Sequence, residues 1–306
     1  MTTINPVAQA GTGAFTDAGE RERERARAGT RRRKKLGSVG VTLGVAAIVV
    51  YCLAPFYWMI VSSLRRTSDL FSSNPIPSPI SLDGYRAAFS PVNGFPQAIL
   101  NSVFVAIVTT VIGLTIAIVC AYAIARLDFR FKSVIVAIII ATSMFPGVTL
   151  VIPLFQLFTN IGWINTYQAM IVPDLSFALP LGVFNLVAFF RQMPFELEEA
   201  ARVDGCSPLQ AFRRVILPIA APGVFTTAII VFIAAWNEYL VATSMVNDKS
   251  KMVVTVIIAQ FTGATAREIP FGAKMAAGVV VTLPLVLLVL VFQRRIVAGL
   301  TAGGVK

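Results

Sequence analysis

Apolar positions along the chain gather into six runs, at about 37–64, 98–125, 133–158, 167–190, 221–246 and 274–293, separated by polar stretches rich in proline, glycine and charge. Each run has about 20 residues or more, the length a helix needs to cross a hydrocarbon core. A transmembrane barrel would need shorter segments alternating between apolar and polar. The pattern predicts an all-α polytopic membrane protein with six transmembrane helices. A polar tail occupies 1–36, the membrane domain 37–298 and a second tail 299–306. The first run follows a basic region, as a signal sequence would. It is too long for that, shows no small-residue cleavage site, and has the bulky Tyr51 before Cys52, so it reads as an anchoring span.

Two of the intervening stretches are long. Segment 66–97 holds Pro75, Pro77, Pro79, Pro91 and Pro96, which predicts an irregular, partly extended cover and not a span. Segment 247–273 holds Gly263, Pro270 and Gly272 together with Arg267 and Glu268, and is long enough to reach outward. Within the spans, Phe145-Pro146-Gly147 and Pro153 interrupt the third, and Pro173 and Pro180 the fourth. These read as packing kinks of the kind tolerated against neighbouring helices. Tyr51, Trp58, Trp163 and Tyr167 sit at span ends as interface anchors.

Composition agrees with the membrane reading. Of 306 residues, 56% are hydrophobic and 13% charged, against about 25% charged in soluble domains, and the mean hydropathy is +0.77. The net charge of +11 reflects topology. Nine, three, four and three Lys/Arg residues fall in the N-terminal tail, the 126–132 loop, the 191–220 loop and the C-terminus. The other three loops carry three, none and four. The positive-inside rule therefore predicts both termini in the cytoplasm. The N-terminal tail alternates acid and base from Glu20 to Arg27 and ends on Arg31-Arg32-Arg33-Lys34-Lys35, a solvated segment that fixes orientation and touches anionic lipid. There is no histidine, so His-based acid–base chemistry and His metal sites are excluded. Cys52, Cys120 and Cys206 are far apart, which argues against a disulfide or metal framework.

The 191–220 loop is unlike a simple connection. After Pro194, Phe195 to Val203 reads as a short helix with Glu196, Glu198 and Glu199 at its positive end, and Glu198 and Arg202 are spaced to pair. Asp204-Gly205 ends it in a left-handed stop. Ser207-Pro208-Leu209-Gln210 restarts the helix with a capping box and a proline at its first position. Phe212, Val215 and Ile216 give it an apolar face, and Leu217-Pro218 closes it. One reading is an amphipathic hairpin resting on lipid headgroups. Four acids balanced by Arg191, Arg202, Arg213 and Arg214 point instead to a protein partner.

Glu199-Ala200-Ala201, with Gly205 six residues after Glu199 and Leu217-Pro218 beyond, resembles the EAA loop of ATP-binding-cassette importer permeases, the coupling helix that enters a cleft on the ATPase. The resemblance extends to the six-span, maltose-type carbohydrate branch. It rests there on Ala121-Tyr122-Ala123-Ile124-Ala125-Arg126-Leu127, on Trp236-Asn237-Glu238-Tyr239-Leu240 and on the tail from Phe292 through Gly299-Leu300-Thr301-Ala302-Gly303-Gly304 to Lys306, and it covers about 40–306. The resemblance implies a permease subunit of a sugar importer in a bacterial inner or plasma membrane. It implies ATPase coupling through Glu199, Ala200, Ala201, Asp204, Gly205, Phe212, Leu217 and Pro218, and a contact of residues 299–304 with the ATPases. Gly263 and Arg267 would meet a sugar-binding protein outside. Its partners would be a second, different permease, two ATPase subunits, that binding protein and membrane lipid, with no nucleic acid. Maltose or trehalose is the implied class of cargo.

The chain has no GxxxxGK[ST], so ATP and Mg would be held by partner subunits and this chain would bind no cofactor and act as no enzyme. Intramembrane polar groups are functional candidates by default. Asp174 lies near a span end and reads as an interfacial carboxylate. Glu238 makes a helix–helix hydrogen bond or, with Asn237, lines the translocation path; the sequence leaves both open. The rival reading is an ion-coupled secondary transporter or channel, which would need a relay of intramembrane acids. Only Glu238 and Asp174 qualify, and such a protein has no use for the 191–220 hairpin. A membrane enzyme is disfavoured by the missing His and acid clusters.

Overall fold

The computed structural model describes residues 40–70, 72–261 and 270–302, the last nine of these as helical backbone. Two compact units divide at Trp58–Met59. Helix α1, Gly40–Ser63, begins in the first, where its apolar side chains are exposed.

In the second unit the chain forms α2 (Asp83–Ala88), α3 (Phe95–Arg126), α4 (Lys132–Met144), α5 (Gly147–Asn160) and α6 (Gln168–Gln192). The short α7 (Glu196–Val203) and α8 (Pro208–Ala211) follow. A π-helical turn over Phe212–Ile216 leads into α9 (Leu217–Ile219), then α10 (Ala221–Trp236), α11 (Leu240–Met245), α12 (Val254–Ala259) and α13 (Phe271–Ala302). No strand occurs among the described residues.

Four helices are individually long and apolar enough to cross a membrane: α1, α3, α6 and, within α13, Phe271–Gln293. The third predicted span is broken: α4 and α5 meet at 95° around Phe145-Pro146, because proline biases the residue before it away from helical geometry. Pro173 and Pro180 lie inside an unbroken α6, so the interruptions predicted there do not occur. The fifth predicted span, 221–246, stops at Trp236 and restarts at Leu240.

Hydropathy cannot show which face of a membrane helix packs, since lipid and protein are both apolar; side-chain size shows it better. On α3 the buried Gly113, Ala117 and Ala121 recur every four residues and let α6 approach closely. A Cβ on Gly182 of α6 would stand 3.2 Å from the Ala117 Cβ. Buried apolar residues form two clusters. One gathers Ala117, Ala121, Ile124, Leu186, Phe190, Met193, Ile216 and Ala220 at the hairpin end of α3. The other, at the opposite end, joins Phe95, Ala98, Val105, Met170, Trp236 and Met245 with Val254 and Ile257.

Of the 247–273 segment, residues 247–261 fold back onto that second cluster because Val253, Val254, Val256, Ile257 and Phe261 are apolar and become buried. The Asn101 side-chain amide donates to the Ser250 and Met252 carbonyls at 3.0 and 2.9 Å, and the Val254 amide donates to Ser102 Oγ at 2.8 Å. The 66–97 segment, predicted to be irregular, carries the helix α2 over Asp83–Ala88 and the start of α3 at Phe95, with irregular chain between. It is organised by the buried Arg65 guanidinium, which donates to the carbonyls of Leu70, Ser72 and Asn74.

Candidate functional site

The hairpin between α6 and α10 is built by local capping. At the end of α7 the Cys206 amide donates to Ala201 O at 2.9 Å and the Gly205 amide to Arg202 O at 3.0 Å, the paired bonds of a Schellman stop. Gly205 has φ +84° and open space where a side chain would stand, so the left-handed backbone alone calls for glycine. The capping box also forms. The Gln210 amide donates to Ser207 Oγ at 3.4 Å, and the Ser207 amide donates to Gln210 Oε1 at 2.8 Å.

The close at Leu217-Pro218 lies slightly further on. Pro218 cannot donate to the carbonyl four residues back, and the chain just before it widens into the π-helical turn. The axis then bends by 73° where Ile219 gives way to Ala221.

The predicted contact residues separate into two sets. Glu199, Ala200, Asp204, Gly205 and Pro218 are exposed; Ala201 is buried, and Phe212 and Leu217 are half-buried. Ala201 and Phe212 therefore hold the hairpin together and do not form its outer face. Sequence reasoning missed two apolar residues on that face, Val203 at 87% exposure and Leu209 at 64%. Their signal was an apolar residue on either side of the turn, out of phase with the buried stripe. Beside them a cleft of about 620 Å³ is lined by Ser207, Leu209, Gln210, Arg213 and Arg214.

Glu198 does not serve Arg202. Its Oε1 lies 3.4 Å from Nε of Arg126 at the end of α3, with the two side chains 10% and 0% exposed. Arg126 also donates to Met193 O at 2.7 Å, and its guanidinium lies 4.2 Å from the Phe195 ring centroid. Tyr122, one turn earlier, donates to Glu198 Oε2 at 3.3 Å and packs its ring 4.5 Å from that of Phe212. Arg202 is exposed to solvent, which makes it the weaker partner. Attraction between charges is larger where water is excluded.

At the other end of the molecule, Glu238 accepts the Val241 and Ala242 amides at 2.7 and 2.9 Å. It caps α11 through these bonds to the first amides of that helix. Asn237 is exposed and donates to Ile233 O at 2.8 Å. Asp174, predicted at an interface, is buried at 5% exposure. Gly263, Arg267, Gly303 and Gly304 lie outside the described residues. Gly299, Leu300, Thr301 and Ala302 continue the α13 backbone. No cluster of metal-ligating side chains occurs among the described residues.

Comparison with known proteins places this architecture. Residues 113–301, which include α6, the hairpin and α10, match the family described as binding-protein-dependent transport system inner membrane component. The chain belongs to that family. It is a multi-pass membrane permease subunit of an ATP-binding-cassette importer, which sets the ion-coupled reading aside. This permease is 44% identical to the trehalose transport system permease protein SugB of Mycobacterium tuberculosis over 85% of its own length and 94% of the relative's. It is 38% identical to the trehalose/maltose transport system permease protein MalG of Thermococcus litoralis, over 90% and 99%. Its fold matches a chain of a bacterial transporter that imports the polysaccharide alginate, with TM-score 0.71, 19% identity and coverage of 86% and 97%.

Proposed function

We propose that this permease imports a disaccharide of the trehalose/maltose class, driven by ATP hydrolysed on separate subunits that dock against the 191–220 hairpin. The observation that carries the reading is the hairpin itself: a double-capped turn with Glu199, Ala200, Asp204, Val203 and Leu209 facing out. An apolar tip ringed by a few charges suits burial against a protein surface, since burying exposed Val and Leu contributes about 1.5–3 kcal/mol each. Two relatives named for trehalose transport support the substrate class.

The full assembly in this proposal pairs the chain with a second, different permease, two ATPase subunits holding ATP and Mg, and an external sugar-binding protein. The termini and the hairpin face the cytoplasm, as the positive charges suggest. In this assembly residues 299–304 contact the ATPases, and Gly263 and Arg267 contact the binding protein. Each ATPase closure moves a hairpin, and the attached spans turn to expose the sugar path to the outside.

Deleting the gene for this chain and measuring uptake of radiolabelled trehalose and maltose tests the cargo. Loss of one or both, restored by the intact gene, is the expected result. Unchanged uptake of both, with loss of an unrelated solute, would overturn the substrate class.

A further inference from the structure

The stretch Ala121–Leu127 ends α3, yet the docking reading gives it no task. We infer that Tyr122 and Arg126 form a clamp that carries movement of the hairpin into α3, making Arg126 a positioning residue for coupling. The inference rests on the proposal that the hairpin receives the ATPase motion.

The hairpin is joined covalently only to α6 and α10. Helix α3 lies some 70 residues away in sequence, yet its last turn holds both arms. Tyr122 and Arg126 are four residues apart and share a face. Arg126 holds α7 through Glu198 and the approach to it through Met193 O and the Phe195 ring. Tyr122 holds α7 through Glu198 and the π-helical turn through Phe212. The ion pair is largely buried, with the side chains 0% and 10% exposed, so salt screens it far less than a surface pair. Pulling the two apart would leave a buried charge unmatched, which is strongly resisted. A displaced hairpin therefore takes the end of α3 with it.

Helix α3 is one unbroken element of 32 residues, so an axial or tilting movement at Arg126 is felt at Asn101, about 37 Å away at 1.5 Å per residue. There Asn101 and Ser102 hold Ser250, Met252 and Val254 of the opposite loop. A continuous mechanical route thus joins the hairpin to the far end of the permease without passing through α6 or α10.

The test replaces both ion-pair partners, R126M with E198M, in the complete transporter reconstituted in proteoliposomes. Paired apolar replacement leaves no lone buried charge and preserves assembly. Sugar transported per ATP hydrolysed should fall by about tenfold, while recovered complex and ATP hydrolysis stay within about twofold of wild type. If the methionine pair does not assemble, R126L with E198L, which also removes both charges together, takes the same readout. An unchanged ratio overturns the clamp, as does a loss of uptake and hydrolysis in step with recovered complex. Wild-type complex that transports no disaccharide with ATP would instead contradict the proposed function, so the two failures are distinct.

Discussion

Gly205 shows how a single residue sets the hairpin. Its surroundings are empty, so a larger side chain meets no clash and the cost is conformational, about 1–2 kcal/mol for an L-residue held left-handed. Gly205→Val should insert and assemble yet take up sugar about tenfold more slowly, the rate equivalent of 1.4 kcal/mol, whereas Gly205→Asn should be milder. Glu199→Lys reverses an exposed charge and should weaken ATPase co-purification without changing membrane insertion. Normal sugar-stimulated hydrolysis in both Gly205→Val and Glu199→Lys would contradict the hairpin's role. Glycine and glutamate were legible here because helix stops and the family spacing are local. The Arg126–Glu198 pair was not, because Glu198 has a sequence-near partner in Arg202 and only burial decides between them.

At the scale of elements, local signals read well and tertiary ones poorly. Asp204-Gly205 and Ser207-Pro208-Gln210 gave the stop and restart of the hairpin, since caps depend on neighbours a few residues away. Ser207→Ala should remove one arm of the capping box, costing about 1 kcal/mol, and lower the thermal midpoint of the purified permease by a few degrees. Pro146 broke its span and Pro173 and Pro180 did not, because close packing of α6 against α3 supports a helix that proline alone would weaken. The fold-back of 247–261 was hidden for a different reason: a short apolar run reads alike in a loop that reaches out and in one that packs inward. The turn at its start contains Asp248, whose carboxylate accepts the Ser250 hydroxyl at 2.8 Å and amide at 2.9 Å. These bonds, the hydroxyl first, hold its pKa below the usual 3.8. A lowered carboxylate pKa stabilises the turn above about pH 3.8 and is lost as pH falls through the lower folded value. Protection of the Ser250 amide from hydrogen exchange should therefore drop in that acidic window and not near neutrality.

For the whole molecule, the number of apolar runs and their class were plain in the sequence, while the division into four long helices and two bent pairs needed the structure. Docking of the C-terminal tail belongs at this scale. Removing 299–306 should leave the complex intact and lower its sugar-stimulated ATP hydrolysis several-fold, and an unchanged rate would remove the tail from the coupling scheme. In this mechanism a separate ATPase subunit drives the permease through its hairpin. The most direct measurement is disaccharide uptake into proteoliposomes holding the assembled transporter, with binding protein on one side and ATP on the other. Uptake should require ATP on the hairpin side and persist when a protonophore and ionophores collapse every ion gradient. Uptake that proceeds without ATP and stops when an ion gradient is collapsed would show that the hairpin does not receive ATPase drive.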